Sequence, residues 1–220
     1  TNSVSVNWGA QGAQSISVNY KNIYGCFAAP ATLFPVVVGN MWIGNNPNWN
    51  DPLNWCQGVP TSLTDVVIPN AVIQPVINNT GAVCRNLTIN HASASLQVHA
   101  GKTLTVDGNL ANNNGTFTIK SDALNNNGSL IVNGSTATGN VNYQRYLTPS
   151  QNRWFIASSP VNTSSGGFDG INVKYDNTYS SYDFASYVDA NNYGWDYQPS
   201  LPLSLVNGKG YLTRVINSGL

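Results

Sequence analysis

The sequence predicts an all-β chain in three parts: the closing strands of a β-sandwich, a short β-solenoid, and part of a further β-sandwich. Three observations carry this expectation. All nine acidic residues are Asp, while 33 Asn, 20 Gly and 11 Pro fill 64 of 220 positions. Glu and Lys favour helices whereas Asn, Gly and Pro do not, so a helical bundle or long coiled coil is excluded. Apolar residues alternate with polar ones at period two near the N-terminus, the pattern of half-buried strands. An apolar-x-apolar pair then recurs through the middle of the chain. The 41% hydrophobic and 10% aromatic content supplies a core and excludes disorder. A net charge of zero with 8% charged residues removes the attraction that holds nucleic acid or anionic lipid.

Residues 1–39 read as strands. Val4, Val6 and Trp8 alternate with polar residues, as do Ile16, Val18 and Tyr20, and Leu33 to Val38 forms a buried strand. About seven strands make a sandwich, so the chain is expected to begin inside a domain. No Met or signal region opens it, so any targeting peptide is absent or already removed. The apolar window Cys26 to Gly44 is broken by Pro30, Pro35 and Asn40, too short a run for a membrane span. The stretch resembles the last strands of Ig-like and PKD-like repeats of large bacterial surface proteins, carried by Val4-Ser5-Val6-Asn7-Trp8-Gly9, Ser15-Ile16-Ser17-Val18-Asn19-Tyr20 and Gly25-Cys26. In such repeats the cysteine commonly pairs with one in an earlier strand, which would account for Cys26 as the odd thiol.

Residues 40–140 read as a Trp-rich leading loop followed by the solenoid. Trp42, Trp49 and Trp55 sit among Asn-Pro and Asp-Pro turn starters, so they are expected to be structural anchors. Beyond them the pairs Leu87/Ile89, Leu96/Val98, Leu104/Val106, Phe117/Ile119 and Leu130/Val132 are spaced by 9, 8, 13 and 13 residues. Asn112-Asn113-Asn114-Gly115 and Asn125-Asn126-Asn127-Gly128 align across the last step, and Asn and Gly tolerate the left-handed turn conformation. Units this short bury an apolar face only by stacking. Five stacked pairs are expected, with a meander of Asn-Gly hairpins as the alternative.

Residues 141–220 lose the repeat and read as an incomplete sandwich-like module. Strands are expected at Asn142–Leu147, Arg153–Pro160 and Gly208–Val215, and six of the eleven tyrosines lie between Tyr175 and Tyr197. No closing pattern precedes Leu220.

The segment Trp49-Asn50-Asp51-Pro52-Leu53-Asn54-Trp55-Cys56-Gln57-Gly58-Val59-Pro60-Thr61 resembles a recurring motif of Bacteroidetes (flavobacterial) secreted proteins. Asp65 to Pro69, Pro75-Val76-Ile77, Cys84 to Ile89 and Gly101 to Val106 continue it. Arg145-Tyr146-Leu147, Trp154, Ser158-Ser159-Pro160-Val161 and Gly208-Lys209-Gly210-Tyr211 match a second module. The resemblance covers most of residues 40–215. It implies a long multidomain protein exported by the type IX secretion system to the cell surface, of a kind that includes gliding-motility adhesins. It also implies a Cys56–Cys84 disulfide, which would close a loop of about 28 residues and stabilise by about 3 kcal/mol on the chain-entropy argument.

No catalytic motif competes with this expectation. There is no Gly-x-Ser-x-Gly elbow, phosphate loop or His-Glu-x-x-His sequence. A glycosidase would need two carboxylates about 5–10 Å apart, and Asp65, Asp107, Asp183, Asp189 and Asp196 read first as turn residues. His91 and His99 have no acid pair beside them, and the cysteines lack zinc spacing. A non-enzymatic chain without cofactor is expected. Calcium is a low-ranking candidate through Asp169 and Asp189-Ala190-Asn191-Asn192, although no EF-hand is present. Tyr193, Trp195, Asp196 and Tyr197 are candidate glycan contacts, because aromatic faces stack on sugar rings while planar polar groups take hydroxyls. The expected role is a structural or adhesive segment, extracellular, contacting surface glycans or other extracellular proteins. The alternative is a non-catalytic carbohydrate-binding region of a secreted polysaccharide-degrading enzyme.

Overall fold

In the short central strands every second residue is apolar, and those residues turn inward: Val66 and Ile68, Leu87 and Ile89, Leu104 and Val106 are all fully buried. A computed structural model describes residues 4–6, 8, 12–27, 30–124, 126–149, 153–159, 173–188, 194–200, 206 and 208–215. Two compact units divide the chain: Thr1–Phe117 with Ser129–Asn140, and Thr118–Gly128 with Val141–Leu220. No helix among the described residues is long and apolar enough to cross a membrane.

The first unit opens with an antiparallel pair, β1 (Gly12–Val18) and β2 (Thr32–Val38), in register from Gly12 opposite Val38 to Val18 opposite Thr32. Val4 and Val6 are exposed and belong to no strand. Next come β3 (Asn40–Met41) and a single 3-10 turn at Pro52–Asn54. A parallel β-solenoid of about four turns follows. Its first rung is β4 (Val66–Ile68), β5 (Val76–Ile77) and β6 (Ala82–Cys84). The second is β7 (Leu87–Ile89), β8 (Ser95–Val98) and β9 (Thr103–Val106), and the third is β10 (Leu110–Asn112), β11 (Thr116–Ile119) and β12 (Ser129–Val132). A fourth begins with β13 (Ala137–Thr138) and β14 (Asn142–Tyr143).

One sheet runs β3-β4-β7-β10-β13, a second holds β5, β8 and β11, and a third holds β6, β9 and β12. Within the second unit, Thr118 and Ile119 of β11 pair with Asn142 and Tyr143 of β14. The solenoid expectation therefore holds, but the repeat belongs to a different level. Successive apolar pairs lie on different faces, three in the second rung and two in the third, and are not stacked on each other. The stacked partners are Val66 on Leu87, Leu87 on Leu110 and Leu104 on Leu130. The spacings of 9, 8 and the second 13 thus run from one face to the next, the first 13 passes over the β10 face, and two steps of 13 carry Leu104 to Leu130. Of Asn142–Leu147, expected as a strand, Asn142 and Tyr143 form β14, which pairs parallel with β11.

The leading loop forms a zeroth rung. Asn40 and Met41 pair with Val66 and Val67, so Trp42 falls in line with the inward Ile68. Asn48 bridges to Val76, which aligns Trp49 with the inward Ile77. No disulfide joins Cys56 to Cys84, and all three cysteines are free thiols, which corrects the expected bridge. Cys84 occupies an inward position in line with Val106 at 0% exposure. Burial first, and then the charges of Asp107 and Asp65, push its thiol up to about 12, so it stays protonated and unreactive. Cys56 is exposed, and its Sγ accepts from the Met41 N–H at 3.0 Å. Cys26 is exposed as well.

Asparagine side chains tie the rungs together at their corners. The Asn86 amide donates to Asp65 Oδ1 at 2.7 Å and accepts from the Asn109 N–H at 2.8 Å. Asn109 Oδ1 in turn accepts from the Thr136 N–H at 3.1 Å. Other corners repeat the device: Asn113 donates to Asn90 at 3.2 Å and Asn133 to Asp107 at 2.9 Å.

The second unit adds β15 (Phe155–Ser158), β16 (Tyr175–Asp176), β17 (Ser181–Tyr182), β18 (Phe184–Val188), β19 (Gly194–Tyr197) and β20 (Gly210–Thr213). An antiparallel sheet runs β15-β20-β18-β19, with β16-β17 a separate hairpin. Phe184 and Tyr211 stack at 5.0 Å on one side of the sheet and pack with Val173 and Tyr182.

Candidate functional site

Two aromatic assemblies stand out, and they differ in what they leave exposed. In the leading loop Trp42, Trp49 and Trp55 are 1%, 1% and 3% exposed. Trp55 sits edge-on to Trp42 at 4.9 Å and to Trp49 at 4.7 Å. The Trp42 indole N–H donates to the Ile73 carbonyl and that of Trp55 to the Trp49 carbonyl, both at 2.7 Å. Buried Asn54 fixes the loop by donating to Asn46 Oδ1 and the Asn48 carbonyl, while Asp51 accepts from Asn46 and from the Leu53 N–H. These tryptophans close the solenoid interior and offer no ring to a ligand.

The second assembly covers one face of the β15-β20-β18-β19 sheet. Strand alternation places residues opposite Phe184 and Tyr211 on this side, and the register aligns Ile156, Leu212, Ala185 and Tyr197 across it. Tyr187 lies directly opposite Trp195, with rings edge-to-face at 5.6 Å. Trp154, from beside one edge strand, meets Tyr197 of the other edge strand at 6.2 Å. Their rings therefore lie across the central strands, which explains why Ala185 on the same face is 0% exposed. Trp154, Tyr187, Trp195 and Tyr197 nevertheless remain 36–49% exposed. The Arg214 guanidinium sits 4.7 Å over the Trp154 ring and 2.7 Å from Asp183.

Among the expected glycan contacts, Trp195 and Tyr197 come together on this face. Asp196 is exposed but belongs to the opposite face, since it alternates with them along β19. Tyr193 lies outside the described residues, as do Asp169, Asp189, Asn191 and Asn192 named for calcium.

The remaining carboxylates are engaged in structure. Burial works to raise the Asp65 carboxyl, but hydrogen bonds from Arg85 and Asn86 and the guanidinium charge outweigh it and hold it low. The Asn46 hydrogen bond lowers Asp51 and the Asn126 hydrogen bond lowers Asp122. For Asp176 the Thr178 N–H does the same. All of these favour the ionised form, the opposite of what a general acid needs near neutral pH. No three His, Cys or Asp side chains among the described residues converge as metal ligands.

A family model for a domain of unknown function, DUF8693, matches residues 41–219. The chain belongs to the DUF8693 family. No curated protein and no solved structure matches it significantly. The DUF8693 match takes in the tryptophan loop, the solenoid and the aromatic-faced sheet, and leaves β1 and β2 outside it.

Within the DUF8693 region, sequence reasoning located Trp195 and Tyr197 but missed Trp154, Tyr187 and Arg214. The i, i+2 spacing of Trp195 and Tyr197 is visible along one strand. The others join them only through the register of β18 on β19 and of β15 on β20, which links residues up to 58 positions apart in sequence. An aromatic beside each of two alternating strands, Trp154-x-Ile156 and Ala185-x-Tyr187, is the signal that was available.

Proposed function

We propose that the chain is a structural and adhesive segment of a large secreted protein displayed at the bacterial cell surface, without catalytic activity of its own. The observation that carries this is the solenoid: parallel ladders reinforced at their corners by asparagine bonds and closed at the leading end by three buried tryptophans. Such an array puts many backbone hydrogen bonds in one direction and yields rung by rung, since each repeat contacts its neighbours alone. The β1–β2 hairpin is read as the end of an Ig- or PKD-like sandwich, and the β15–β20 region as part of a further sandwich. Export by the type IX system and a place in gliding motility follow from the motif resemblance. The exposed aromatic face favours a second reading, a carbohydrate-binding accessory region of a polysaccharide-degrading enzyme.

Single-molecule pulling tests the structural role. Stacked partners are 21, 23 and 27 residues apart, from Val66 to Leu87 to Leu110 to Ala137. Each rung should therefore release about 70–95 Å of chain at about 3.3–3.6 Å per residue. A series of such steps is expected, and collapse without resolvable resistance would remove the load-bearing role. Antibody against the chain is expected to label intact cells, and labelling confined to lysed cells would remove the surface location.

A further inference from the structure

We infer that the aromatic face of the β15-β20-β18-β19 sheet is a binding platform for an uncharged polysaccharide, with sugar rings seated on Trp195, Tyr187 and Tyr197. This names the partner for the adhesive role proposed above and rests on that reading.

Charge is the first argument. Among the described residues of these strands, this face carries the ion pair of Arg214 with Asp183 at 2.7 Å, with the guanidinium laid over Trp154. Two neighbouring cations serve the other side: Lys209 covers Tyr211 and Arg153 covers Phe155. Asp196 also points to that other side. A neutral face complements a neutral ligand. The Arg214 guanidinium is already held by a carboxylate, so nucleic acid and acidic polymers gain little from it in replacing their counterions.

Polar capacity is the second argument. Among the described residues, no hydrogen bond engages the hydroxyls of Tyr187 and Tyr197 or the indole N–H of Trp195. A purely apolar protein surface docking here would bury these groups without partners, which costs about 1–3 kcal/mol each. A polyhydroxylated ring supplies an apolar face for stacking and hydroxyls for those rim groups together. The third argument is shape. The Trp154 and Tyr197 rings lie across the central strands and roof over Ala185, giving a broad shallow surface suited to a chain-like ligand.

Affinity electrophoresis of the intact chain through gels containing laminarin, galactomannan or hydroxyethylcellulose, with alginate as the anionic comparison, tests the inference. Retardation by at least one neutral polymer is expected. Trp195→Ala and Tyr187→Ala should each weaken it about tenfold, the effect of losing one stacking contact worth about 1.4 kcal/mol. Asp196→Asn, on the opposite face, should leave it unchanged. Trp195→Phe, which keeps a ring, should retain most of it and guards against a misfolded alanine variant. Retardation by none of the neutral polymers, by alginate alone, or undiminished in both alanine variants overturns the inference. So does a concentration-dependent dimer that Trp195→Ala converts to monomer, since the occupant would then be a second copy. The pulling steps of the solenoid are read without ligand, so failure here and failure of the load-bearing role are separately visible.

Discussion

Consecutive residues Asn114 and Gly115 answer two different demands of the same turn. Asn114 takes the left-handed conformation at φ 66°, which Asn tolerates better than most residues. Gly115 is there for space. A Cβ on it would press into Ile89 Cγ2 and lie 2.9 Å from the Ala94 carbonyl oxygen, and both neighbours belong to the rung before. Gly115→Ala is therefore expected to destabilise the solenoid by about 1–3 kcal/mol through overpacking. Asn114→Gly, where conformation alone is at stake, should change stability by less than about 1 kcal/mol. Urea unfolding followed by tryptophan fluorescence measures both, and equal losses at the two positions would mean that space is not what fixes Gly115.

At the scale of elements, the leading loop works because its tryptophans continue the inward rows of the solenoid. Trp42 extends the row of Ile68 and Ile89, and Trp49 extends that of Ile77 and Val98. A solenoid end otherwise exposes its apolar interior, which is why terminal repeats need caps. Trp49→Ala should cost about 3–5 kcal/mol, the range for a large aromatic removed from a core. Amide exchange should accelerate first in β4 and β5 and last in β10, and uniform acceleration would sink the capping account. The anchoring role of these tryptophans was legible in the sequence because turn dipeptides and aromatics sit side by side. Rung assignment was not, for a physical reason. Alternation is local and shows which residues point inward, whereas stacking joins residues 21 to 27 positions apart and depends on how many faces a rung has. Asn112 hid one face altogether: it occupies an inward, 5% exposed position in β10, so no apolar pair marked that strand. The sheet face shows the same limit, since Trp195 and Tyr197 share a strand but Tyr187 and Trp154 reach them only through pairing.

For the whole molecule, the shortage of charge follows from stacking. A parallel solenoid sets equivalent residues of successive rungs about 4.8 Å apart, so a charged side chain repeated down a corner would face its own sign. Asparagine avoids this because its amide donates to one rung and accepts from the next, as Asn86 does between Asp65 and Asn109. Asp65 is the one carboxylate in that ladder, and Arg85 neutralises it with Nε and a terminal nitrogen at 2.7 and 2.6 Å. Asn86→Asp keeps the acceptor for the Asn109 N–H but turns the donor facing Asp65 into a second carboxylate. The expected loss at pH 7 is about 1.5–3 kcal/mol, the worth of a hydrogen bond to a charged group. Facing carboxylates raise each other's pKa above the unfolded value. The variant's deficit should therefore be full at neutral pH and shrink as pH falls through the raised value toward about 4. Wild type runs the other way: its Asp65 is held below 3.8, against burial, by Arg85 and Asn86, so its contribution is lost only as pH drops below that value. Thermal midpoints of the two proteins should converge between pH 7 and pH 4, and a constant gap across that range would show that the ladder's neutrality is not what Asn86 protects.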